Sequence, residues 1–79
     1  MSNWRIENAV TLWPTKGIRG HVLGIFDERK LAHAQLYTNQ PPRIRLWPPR
    51  DPDLAVIESY MAMLLAFSSK VEELDKPQR

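Results

Sequence analysis

Seventy-nine residues without a cysteine make one domain near the lower size limit at which an apolar core holds a fold alone, and they exclude disulfides and thiolate metal sites. The formal charge of +2 is modest but unevenly placed: residues 1–50 hold eight Lys/Arg against three Asp/Glu, net +5, and residues 51–79 hold three against six, net −3. Such an asymmetry steers a polyanion or an acidic protein, or simply draws the two halves of the chain together.

Trp4, Ile6, Val10 and Leu12 alternate with Arg5, Glu7, Thr11 and Trp13, the period of a half-buried strand, and the Val, Thr, Ile and Trp content favours a strand over the competing helical stripe. Pro14-Thr15-Lys16-Gly17 reads as a turn with Gly17 at positive φ. Ile18 to Phe26 is a second strand whose Gly20 and Gly24 mark a bulge or the close approach of another backbone. Asp27 to Tyr37 has two readings, a short helix capped by Asp27 or a four-residue loop and a returning strand from Leu31 to Thr38. The apolar positions 31, 32, 34, 36 and 37 form no helical stripe, so the hairpin is preferred, with Ala32, Ala34 and Leu36 on one face.

After the loop Asn39-Gln40-Pro41-Pro42, the run Arg43-Ile44-Arg45-Leu46-Trp47 alternates cleanly, with Ile44 and Leu46 inward and both arginines outward, until Pro48-Pro49 ends it. Residues 51–74 then carry the helix signal, with Asp51 as cap, Pro52 in the first turn and Asp53 at the positive end of the dipole. Ile57, Tyr60, Leu64, Phe67, Val71 and Leu74 form its core stripe. Leu54, Met61 and Leu65 flank that stripe on one side and Val56 and Met63 on the other, an apolar arc of roughly 200° where one sheet needs ~100°. Ala55, Ala62 and Ala66 line the opposite side. Residues 75–79 read as a polar tail.

The expected fold is α+β: an antiparallel β-meander of three to four strands over residues 1–50, packed by one long C-terminal helix in a single domain, 1–79. Gly17 to Phe26, the Asp27 turn, the return strand to Thr38 and Ile44-Arg45-Leu46-Trp47-Pro48 before a terminal helix resemble the layout of the stage V sporulation protein G family. That resemblance implies a small dimer that binds nucleic acid. Where that family carries basic residues near its helix, Glu58, Glu72, Glu73 and Asp75 stand here, so no functional residue is carried over.

No motif carries chemistry. His21 and His33 have no metal-ligand spacing, and Ser59, Ser68 and Ser69 have no histidine near in sequence. Asp51 and Asp53 are explained by capping, and Gly17, Gly20 and Gly24 make no phosphate loop. The expectation is a non-enzymatic module without cofactor or metal. No signal peptide follows Met1, the apolar part of the helix is short for a bilayer and carries Glu58, and a cytoplasmic location is expected. Two surfaces remain. The excess apolar arc at Leu54, Met61, Met63 and Leu65 predicts a homodimer or another protein partner. An outer sheet face with Arg19, Arg43, Arg45, Trp47 and Arg50 is the alternative, a seat for DNA or RNA.

Overall fold

The computed structural model describes residues 3–75, and of residues 12–15 the backbone alone; the expected tail beyond Asp75 lies outside them. Four strands, β1 (Trp4–Thr15), β2 (Ile18–Phe26), β3 (Arg29–Tyr37) and β4 (Arg43–Leu46), form one antiparallel sheet in the order β1-β2-β3-β4. Helix α1 (Leu54–Asp75) packs across β1, β2 and β3. The α+β meander read from the sequence is the fold observed.

Period-2 alternation supplies the core. Val22, Phe26, Ala32, Ala34 and Leu36 are buried and meet Tyr60, Met63, Phe67 and Val71 of α1. Two glycines let the layers approach. A Cβ on Gly24 would lie 3.0 Å from the Met63 thioether and 3.1 Å from Ala32 Cβ, and one on Gly20 would lie 2.8 Å from the Ala9 carbonyl oxygen. The close approach of another backbone is present at Gly20, the neighbours of Gly24 are side chains, and a register shift, the other reading, falls beside each glycine.

The β2–β3 connection is tighter than expected. Phe26 pairs with Arg29, so only Asp27 and Glu28 make the turn, with φ of 49° and 63°. Two consecutive positive φ values match the twist of the flanking strands, the reason such turns usually carry glycine. Here Asp27 holds the turn by accepting from the Asn3 amide at Oδ1 (3.2 Å) while its own N–H donates to the Asn3 carbonyl (2.8 Å), and Glu28 accepts from Arg5 (2.9 Å).

The helix also starts later than the sequence predicts. Asp53, not Asp51, is the cap: its Oδ1 accepts from the Val56 amide at 2.9 Å and its carbonyl from the Ile57 amide at 3.0 Å. Asp51 has φ of 44°, outside the extended region that a capping residue occupies, so Pro52 falls before the first turn.

Candidate functional site

Cross-strand register fixes the two faces of the sheet. Ile44 sits opposite Ala34 and Leu46 opposite Ala32, which places both on the helix-side face as predicted. Yet Ile44 is 50% exposed and Leu46 48%, because α1 does not reach β4. Between β4 and α1 runs a groove of about 410 Å³, walled by Pro42, Ile44, Leu46, Leu64, Phe67 and Val71, with Ser68, Glu72 and Asp75 at its rim.

The groove opens onto the outer surface of α1. Leu54 is 70% exposed, Met61 59% and Leu65 73%, as the wide apolar arc predicts, and Ile57 joins them at 40%. Met63 does not belong to this surface. It is fully buried beneath Gly24 and Ala32. The helix is rolled toward its Val56/Met63 side, which takes Met63 into the core and brings Ile57, assigned above to the core stripe, out to solvent. At 100° per residue Leu54, Ile57, Met61 and Leu65 lie within roughly 80° of one another, a line of side chains continuous with the groove. By length and composition α1 is also long and apolar enough to cross a membrane, contrary to the expectation that it is too short; one side of that apolarity is the stripe that packs on the sheet.

The opposite face of the sheet carries the charge. Arg43 lies across from Gln35 and Arg45 across from His33. The indole of Trp47 has the Lys30 ammonium at 5.4 Å and the Arg45 guanidinium at 5.6 Å from its centroid, both within cation–π range. Lys30, Arg43 and Arg45 make no ion pair among the described residues, where the ion pairs are Arg5–Glu7, Arg5–Glu28, Arg19–Asp75 and Lys70–Glu73. Arg50 is exposed in the loop after β4.

Arg19 is not on this face. The β2–β3 register shifts between Ile18 and Gly20, and the bulge turns Arg19 toward the end of α1. Its guanidinium donates to the Leu74 carbonyl (2.7 Å), the Tyr37 carbonyl (3.2 Å) and the Asp75 carboxylate (3.4 Å). The last turn of α1 has no basic residue of its own, so Arg19 satisfies a terminal carbonyl at the negative end of the dipole.

The two histidines, distant in sequence, meet on the outer face. His21 Nδ1 and His33 Nε2 are 3.0 Å apart, the ring planes differ by 12° and the centroids are 5.3 Å apart. That centroid separation is close to the nitrogen–nitrogen distance plus two ring radii, so the rings lie in line and share one N–H···N bond. Nitrogens aimed at each other cannot both aim at a metal. No group of three or more His, Cys, Asp or Glu is gathered for a metal among the described residues. Burial first, then the charges of Lys30, His21 and Arg45, pushes His33 below its ordinary value of 6.5. The register was the missing signal: a two-residue turn followed by a bulge beside Gly24 brings 21 near 33, and while Gly24 marks the bulge in the sequence, the shorter turn was not visible there.

Compared with protein-family models, with curated proteins and with solved structures, the chain matches none of them.

Proposed function

We propose that the protein is a non-enzymatic interaction module that assembles as a homodimer through α1. One observation carries this reading: Leu54, Ile57, Met61 and Leu65 stand exposed in one line along a helix whose other side is already packed on the sheet. A contiguous apolar strip that opens into a groove is the mark of a contact surface rather than of scattered surface residues. A two-fold dimer is the commonest way to cover such a strip, because one patch serves both partners. The experiment is a charge at the centre of the line. Leu65→Glu or Met61→Glu releases a folded monomer from the dimer; a variant that instead loses its secondary structure places these side chains in the monomer core and overturns the reading.

A second reading is favoured by a separate observation: Lys30 and Arg45 lie against the Trp47 ring, Arg43 stands two residues before Arg45 on the same strand face, and none of the three has an ion-pair partner among the described residues. Arginines flanking an indole on an open sheet suit single-stranded nucleic acid, with phosphates on the cations and a base on the ring. This is also the activity the layout resemblance implies. Three phosphate contacts give a log–log salt slope of about −2 for a single strand. Binding that is flat with salt, or absent with mixed DNA and RNA sequences, removes this second reading.

A further inference from the structure

Resting on the dimer reading above, we infer that the groove between β4 and α1 is the seat of the partner copy's α1, so that the dimer is a sandwich of two sheets around a two-helix layer. Four strands at ~4.8 Å spacing make a sheet about 19 Å wide, and a helix with its side chains is about 10 Å across. One helix covers about half of such a sheet. Helix α1 lies over β1–β3, and the uncovered strip is the one bearing Ile44 and Leu46. What fits there is a second helix with an apolar stripe. Among the described residues α1 is the chain's one helix, and its stripe is unpartnered. A second copy resolves both exposures in a single contact.

The register follows from the residues. The exposed line is nearly symmetric about Met61, with Ile57 on one side and Leu65 on the other, and Leu54 balanced by Ser68. A two-fold axis near Met61 sets the helices antiparallel. Arg50 and Glu72 are equally far from Met61 along the chain, so the same axis brings the Glu72 carboxylate at the groove rim toward the partner's basic side chain and positive helix end. Neither Arg50 nor Glu72 has an ion-pair partner within the chain among the described residues. In this register β4 is covered by the partner's stripe, Ile44 beside the partner's Ile57.

The test separates the groove from the helix contact. Ile44→Glu lies on β4, outside α1, at a side chain half-exposed in the single chain. We expect it to raise the dimer dissociation constant by about 30-fold or more while circular dichroism stays unchanged. A second measurement does not depend on tolerating a charge. The chain has no cysteine, so an equimolar mixture of Ile44→Cys and Ile57→Cys chains is expected to oxidise mainly to the mixed disulfide. If Leu65→Glu dissociates the dimer while Ile44→Glu does not, and the mixed disulfide fails to exceed the statistical share, the groove is not the seat, although the helix contact stands. If the unaltered chain is a monomer at micromolar concentration, the inference and the dimer reading fall together.

Discussion

At the scale of single residues, burial separates methionines that the sequence treats alike. Met63 and Met61 both sit in the apolar middle of α1, yet Met63 is fully buried and Met61 is 59% exposed. Met63→Ala leaves a cavity under Gly24 and is expected to cost about 2–5 kcal/mol of stability, measured by denaturant unfolding. In the same measurement on isolated monomer, truncation of Leu65 is expected within about 0.5 kcal/mol of zero. The histidine pair gives a second prediction. Because burial holds His33 below 6.5, the unfolded chain binds more protons than the folded one as the pH falls through that value. Stability from this group is complete above 6.5 and is lost as the pH falls toward the depressed value. His33→Gln is therefore expected to flatten the dependence of stability between about pH 7 and about pH 5, read from melts at both ends; an unchanged slope means His33 does not titrate as described. The groups on the same face are Arg5 and Glu7 of β1, His21 of β2, Lys30 of β3, and Arg43 and Arg45 of β4. Lys30 and Arg45 reinforce the shift.

At the scale of elements, what could be read from the chain was what local pattern decides. Ala32, Ala34 and Leu36 alternate, and all three are fully buried. Gly20 and Gly24 interrupt a strand, and each lies where a side chain would strike a neighbour. What stayed hidden was set by contacts between elements. The roll of α1 about its axis depends on Gly24 making room for Met63, and no periodicity distinguishes that roll from its neighbour. The direction of Arg19 depends on a bulge, and an alternation count places it on the wrong face. The cap was misplaced because Asp51 and Asp53 have equal capping chemistry, and the backbone at Asp51 decided between them. Asp53→Ala is expected to cost about 1 kcal/mol, since it removes the bond to the Val56 amide. Asp51→Ala is expected to cost less; equal losses would return the cap to the earlier position.

At the scale of the whole molecule, a basic sheet and an acidic helix are held in one body by apolar layers, with Arg19–Asp75 as the tie at one end. That tie is partly shielded from water, unlike the exposed Arg5 pairs, whose contribution solvent and salt screen. The two outer surfaces differ in kind. One face of the sheet is cationic around Trp47, and the flank of α1 next to the groove is apolar along Leu54, Ile57, Met61 and Leu65. The candidate partner surface was therefore legible in part: the apolar arc announced that a helix so wide in grease exceeds what one sheet needs, while the groove beside β4 emerged only once the sheet's width and the helix's position were known. The central claim is that this surplus is covered by a second copy. Sedimentation equilibrium of the unaltered chain at micromolar concentration decides it: a dimer gives a mass twice the 9.2 kDa of one chain, and a mass of one chain across that range rules the dimer out.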